Sequence, residues 1–159
     1  MTGIVLIVGA GPGLSSSIAK LCVSKNMRVI LASRDIEKLD DLKKEINATT
    51  IACDSSDTKS VQKLFKKVDK IGVPNLVVYN PAMRFKGSIT ELDPIQTQKA
   101  INVTCFGAFL VAQEAAKRMI KRKRGSIFFT GASAGVKGFP NSSVFAMGKF
   151  GLRGLAQSL

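Results

Sequence analysis

Histidine and tryptophan are absent from this 159-residue chain, tyrosine occurs once, at Tyr79, and Asp plus Glu number 11 against 24 Lys plus Arg. Without histidine the commonest general base and the commonest imidazole metal ligand are gone. Cys22, Cys53 and Cys105 are odd in number, widely spaced and never paired at metal-ligand intervals. They read as small core residues of a protein kept in a reducing, cytoplasmic setting rather than as a disulfide or zinc framework. No apolar stretch approaches membrane-spanning length, and the N-terminus has no basic segment before its short apolar run, so neither a span nor a signal peptide is expected. Acids are scarce, which leaves a formal charge of +13. The densest basic piece runs from Lys117 to Arg124 at an expected helix end, where cations suit the helix dipole. No aromatic residues interleave it and no nucleic-acid motif accompanies it, which argues against a nucleic-acid partner.

What is present is concentrated in residues 3 to 15. Ile4 to Val8 is an unbroken apolar run, too short for a helix and rich in β-branched residues. It predicts a strand buried on both faces, as inside a parallel sheet. Gly9, Gly11 and Gly13 follow, then a helix pattern with Leu14, Ile18, Leu21 and Cys22 on one side. In the order strand, glycine turn, helix, bare backbone lets a pyrophosphate approach, and the helix N-terminus offers free N–H groups.

The rest alternates strand and helix with no linker or repeat, giving one domain over residues 1–159. Strands are expected at Val29–Ala32, Thr50–Cys53, Leu76–Tyr79 and Ser126–Thr130. Helices are expected at 35–47, after Asp57 or Thr58, from Asp93-Pro94 to the basic cluster, and from about Ser143. The third helix places Val61, Leu64, Phe65 and Val68 on one stripe. This predicts an α/β doubly wound parallel sheet of five strands ordered 3-2-1-4-5. Ligands of such sheets sit beyond the strand C-termini, at the switch between strands 1 and 4. The glycine turn, Arg34, Asp54 and Asn80 all fall there. About twenty residues after the turn a strict NAD site would place an acid for the ribose 2′-hydroxyl. Here Ala32-Ser33-Arg34-Asp35 offers a guanidinium for a 2′-phosphate, so NADP is preferred, with NAD possible through Asp35.

Along nearly its whole length the chain resembles the short-chain dehydrogenase/reductase family, whose fold is Rossmann-like. Gly9-Ala-Gly-Pro-Gly13-Leu-Ser15 is similar to the family's Thr-Gly-x-x-x-Gly-x-Gly turn, with Val8 for the threonine and Ser15 for the last glycine. Asp54 resembles the aspartate at the adenine ring, and Tyr79-Asn80-Pro81-Ala82 stands at the family's Asn-Asn-Ala-Gly. Asn102 resembles the asparagine of the proton relay, and Phe145-Ala-Met-Gly-Lys149 the Tyr-x-x-x-Lys motif. The resemblance implies cofactor contacts at Gly9, Gly11, Pro12, Gly13, Leu14, Ser33, Arg34, Asp54, Ser55, Asn80, Pro81, Ala82 and Lys149. It also implies hydride exchange with a small carbonyl or alcohol substrate, and a homo-oligomer through helices at 94–122 and 143–159.

Two departures stand out. The family's tyrosine is Phe145, which has no proton to give, and its serine falls on Ala132, one residue before Ser133. Lys149, Asn102 and Ser133 are therefore the catalytic candidates. A non-catalytic NADP-binding module, serving as sensor or assembly partner, stands as the alternative. The last helix has no stop signal before Leu159, whereas a complete family member continues into the substrate-covering part. The expectation is a fragment, incomplete at its C-terminus, with the fifth strand as an open edge.

Overall fold

A computed structural model describes residues 3–159. Its centre is a five-stranded parallel sheet ordered β3-β2-β1-β4-β5. The strands are β1 (Gly3–Val8), β2 (Met27–Ser33), β3 (Thr49–Ala52), β4 (Leu76–Tyr79) and β5 (Ser126–Phe129). The helices are α1 (Leu14–Ser24), α2 (Asp40–Ile46), α3 (Thr58–Asp69), α4 (Pro94–Ile101), α5 (Gly107–Lys121) and α6 (Ser143–Ser158). The expected strand order is the observed one.

β1 lies in the middle because it is apolar on both faces. Val5 to Val8 are at most 2% exposed, and each pairs with a β2 residue on one side and a β4 residue on the other. Leu6 and Val8 face a layer holding Val61, Leu64, Phe65, Val68, Val111 and Ala115 from α3 and α5. Val5 and Ile7 face the opposite layer, with Ala19, Cys22 and Leu39. Each fully buried aliphatic side chain contributes about 1.5–3 kcal/mol. The α3 stripe is buried as its spacing predicts, and Asp57 caps that helix, its carboxylate accepting from Ser60 N–H at 2.6 Å.

Three helical expectations need correction. On α1 the buried residues are Ser15, Ala19 and Cys22, while Leu14 and Leu21 are more than half exposed. The helix lies on the sheet by its small side chains, and hydropathy alone ranks leucine above them. The helix expected over 35–47 begins as a tight 3₁₀ turn at Glu37–Leu39, and its α-helical part starts only at Asp40. The helix begun by the Asp93 cap is not uniform. Between α4 and α5, residues Asn102–Phe106 form a π turn, in which Gly107 N–H reaches the carbonyl of Asn102. Such turns recur at functional sites.

The π turn is tied to the sheet by a buried hydroxyl. The Tyr79 hydroxyl, at the end of β4, donates a 2.5 Å hydrogen bond to the Val103 carbonyl and lies 3.2 Å from the Ser55 hydroxyl. Gly107 leaves room for it, since a Cβ there would run into the Tyr79 hydroxyl and the Ser55 carbonyl. α6 then crosses this segment closely at two further glycines. Gly148 packs on Thr104 and Gly151 on Cys105, with ideal Cβ positions only 2.9 and 2.7 Å from those side chains. The basic cluster at the end of α5 is largely engaged: Arg118 pairs with Asp69 and Glu114, Lys117 with Glu114, and Arg122 donates to the Val73 carbonyl. None of the described helices is long and apolar enough to cross a membrane.

Candidate functional site

The strand ends create the site. At the C-terminal edge of β1 the chain turns at Gly9, with φ +77°, a left-handed conformation that suits glycine. A Cβ at this position would also strike Pro81, at 2.6 Å. The N–H groups of Gly9 and Ala10 are bound by the Ala32 carbonyl of β2, which fixes the start of the turn. At Gly11 and Gly13 the direction a Cβ would take is open space, so bare backbone faces a void there.

Ser15, only 2% exposed, is the internal brace of the turn. Its hydroxyl donates to the Gly9 carbonyl at 3.3 Å and accepts from Gly11 N–H at 3.2 Å. Asn80 joins it from β4: its side-chain amide N–H₂ donates to the Gly9 carbonyl and to the Ser15 hydroxyl, both at 3.3 Å. The Asn80 carbonyl oxygen accepts from the Thr130 hydroxyl at 2.9 Å, and the Thr130 backbone carbonyl accepts from the Lys149 ammonium at 2.5 Å. One polar chain thus runs from the glycine turn across β4 and β5 to α6. Sequence reasoning missed Ser15 and Thr130 as its links; a serine in the last glycine position was the available signal.

Between the ends of β1, β2, β3 and β4 lies a pocket of about 300 Å3. Gly9, Ser33, Arg34, Asp54, Ser55, Asn80, Pro81 and Ala82 line it, as do Val8, Ala10, Cys53 and Val103. The last four, each at or beside a strand or helix end, were not anticipated. Gly11, Pro12, Gly13 and Leu14 lie outside this pocket; Pro12, Gly13 and Leu14 are exposed on the turn and the start of α1.

Charges in the pocket are set by local bonds. Burial would raise the Asp54 carboxyl, but hydrogen bonds from the Ser56 N–H and hydroxyl, with the Arg34 and Lys99 charges, hold it below its ordinary value. Arg34 makes no ion pair among the described residues; Asp35 instead pairs with Lys38 at 2.9 Å. The guanidinium is thus left beside Ser33 at the pocket wall.

The catalytic candidates are not gathered in that pocket. Lys149 is 3% exposed and meets no carboxylate among the described residues, and burial lowers its pKa. Its side chain, with Ala132, Val136 and Leu152, borders a separate hollow of about 240 Å3. The ammonium lies 5.8 Å from the centroid of the Phe145 ring, one helical turn earlier. Asn102 opens the π turn and borders a shallow hollow along α4 with Pro94 and Gln98. Ser133 is exposed at the start of a 3₁₀ turn, and Ala132 before it is extended. The chain's one phenol, Tyr79, is fully buried under α5, and burial pushes its pKa far up, so it is no substitute for the phenol that Phe145 lacks.

A five-stranded parallel sheet with this order, a glycine turn and a pocket at its switch point defines a Rossmann-like α/β protein. The family model described as short chain dehydrogenase matches residues 3–159, and the chain belongs to that family. An uncharacterised short-chain type dehydrogenase/reductase of Sinorhizobium fredii is 30% identical over 146 residues, covering 92% of this chain and 58% of that protein. The chain therefore spans less than two thirds of that relative's length. A short-chain dehydrogenase structure from Rhodopseudomonas palustris superposes with a TM-score of 0.92 at 29% identity, over 98% of this chain and 76% of the other. An actinorhodin polyketide ketoreductase variant solved with NADPH shares the fold at 22% identity, with a TM-score of 0.93 over 98% and 63% of the two chains.

Proposed function

We propose that the site is an NADP site of an oxidoreductase that exchanges hydride between NADP(H) and a small carbonyl or alcohol substrate. The observation that carries this reading is the pocket at the ends of β1 and β2, where Arg34 forms no ion pair among the described residues, its charge reaching only as far as Asp54, and Asp35 is taken by Lys38. The residues fit the cofactor. The void beside Gly11 and Gly13 admits a pyrophosphate, and Ser33 with Arg34 suits a 2′-phosphate. Asp54 and Ser55 bound the adenine end, with Asn80, Pro81 and Ala82 on the far wall. Lys149 holds two ammonium N–H groups beyond the one given to Thr130, and these suit ribose hydroxyls. That NADPH is bound in a ketoreductase of the same fold agrees with the choice. When bound, the nicotinamide supplies the hydride. The chain's own task is to orient it and to hold a proton near the substrate oxygen, and Lys149 and Asn102 are the groups available, with Ser133 exposed at the margin. We place the protein in the cytosol, in line with three unpaired thiols.

A second reading is favoured by one observation: Phe145 puts a phenyl where a proton donor is needed, and Tyr79 is too deeply buried to replace it. The chain would then bind NADP without turnover, as a sensor or assembly partner. Calorimetric titration with NADP+ and NAD+ tests the shared part; absence of heat from both ends both readings. Turnover assays of the protein and its Phe145→Tyr variant separate them. A parent that reduces small ketones supports the enzyme, and an inert parent awakened by tyrosine supports the binding module.

A further inference from the structure

Two cations flank the ring of Phe145. Arg84 places its guanidinium carbon 5.7 Å from the Phe145 ring centroid, and the Lys149 ammonium lies 5.8 Å from the same centroid. Arg84 makes no ion pair or hydrogen bond among the described residues. Its position is nonetheless built. Both the N–H and the carbonyl of the preceding residue, Met83, are bound by the Thr104 hydroxyl, at 3.0 and 3.4 Å, and Thr104 is only 1% exposed on the π turn. Three residues on, Gly87 N–H donates to the Asn141 carbonyl at the entry to α6, at 3.1 Å. The loop is thus pinned on both sides of Arg84, to the π turn and to the head of the helix that carries Phe145 and Lys149.

The pinned loop from Asn80 to Thr90 holds Arg84 and Lys86 and no Asp or Glu, and α6 carries Lys149 and Arg153 and no acid. A pinned, exposed guanidinium with no ion-pair partner among the described residues, with further cations on its own loop and on α6, attracts and orients an anion. Its planar fork matches a carboxylate through two parallel hydrogen bonds.

We propose that the substrate taken at this corner carries a carboxylate one methylene away from its reacting carbonyl or alcohol carbon, and that Arg84 is the residue that pairs with it. This rests on the oxidoreductase reading above and narrows its substrate class. The aromatic ring of Phe145 serves as the surface on which the guanidinium is laid until the anion arrives, a contact that orients the cation without neutralising it.

The test is a ligand-observed NMR titration of the protein saturated with NADP+, using acetoacetate and its uncharged methyl ester; with oxidised cofactor neither ketone can react. Acetoacetate is expected to bind about tenfold more tightly than the ester, the size of one charge-assisted pair at a partly open site. Arg84→Met should erase that preference, leaving NADP+ affinity and the circular dichroism spectrum unchanged. Equal binding of the two probes, binding of neither, or a preference that survives Arg84→Met overturns the proposal. Calorimetry with NADP+ alone is read separately. If it shows no binding while the acetoacetate preference persists without cofactor, the cofactor reading falls and the anion site stands.

Discussion

The Lys149 ammonium donates to the backbone carbonyl of Thr130 at 2.5 Å, from the middle of α6 to the residue that follows β5. No carboxylate among the described residues compensates the charge, and burial lowers its pKa. The folded protein therefore binds that proton less readily than the unfolded chain, so stability rises with pH as the pH climbs from the depressed value to the ordinary lysine range. Lys149→Met should raise the melting temperature by about 2–4 °C, equivalent to about 1 kcal/mol, and flatten this alkaline rise. The same variant should lose about tenfold or more in NADP+ affinity, as removal of a charged hydrogen-bond donor does. Calorimetric melting across pH and a nucleotide titration check both.

Arg34 should decide between the two nicotinamide nucleotides. Arg34→Gln is expected to weaken NADP+ binding by about 10- to 100-fold and to leave NAD+ binding within about twofold, because only the 2′-phosphate is deprived of its partner. Titration of both nucleotides against both proteins measures the preference directly.

Gly107→Ala should be among the more damaging single methyl additions. The new carbon would enter the space of the Tyr79 hydroxyl and the Ser55 carbonyl, both fixed by the sheet. A loss of about 1–3 kcal/mol in urea unfolding is expected. Tyr79→Phe relieves the hydroxyl's share of that clash, the Ser55 carbonyl remaining, while giving up the Val103 hydrogen bond, so the double variant should be less unstable than the sum of the two singles.

The carboxylates around Arg118 should shape acid unfolding. Two guanidinium N–H groups meet the two oxygens of Asp69 at 2.7 and 2.8 Å, a third contact reaches Glu114 at 2.7 Å, and the guanidinium lies 4.9 Å from the Phe65 ring centroid. The Arg118 hydrogen bond holds Asp69 below its usual range. Burial would raise Glu114, but bonds from Lys117 and Arg118 outweigh it. Both groups then contribute stability above the ordinary carboxylate pKa that is lost as pH falls through their depressed folded values. Arg118→Met should cost about 1 kcal/mol at neutral pH, solvent screening of the half-exposed Asp69 keeping it small, and should blunt the loss between about pH 5 and 3. Urea melts at both ends of that range supply the comparison.

The sheet was legible because a strand buried on both faces has to be apolar throughout, and Ile4 to Val8 or Leu76 to Tyr79 leave little choice. The glycine turn was legible for a similar reason: Gly9 adopts a conformation that side chains disfavour, and the sequence has to show it. Less was legible where side-chain size rather than polarity governs. Ser15 and Ala19 bury on α1 while Leu14 and Leu21 do not, because closeness of helix to sheet is a property of the pair and not of the helix. The reach of Tyr79 to Val103 joins residues 24 apart in sequence, and nothing local announces it. Arg84 escaped notice since its placement depends on Thr104 and Asn141, neither of them beside it in the chain.

The π turn at Asn102–Phe106 takes up one residue more than an α-helical turn would. One surplus residue in a helix corresponds to about 100° of rotation about its axis. Ala100 before it and Ala108, Val111 and Ala115 after it all turn inward; a regular spiral of the same sequence would also gather them within about 80° of one another. Excising a single residue there would let the turn close to a regular spiral with both flanks still facing the sheet, so the loss would fall on the Val103 carbonyl that Tyr79 holds rather than on the inward face of α5.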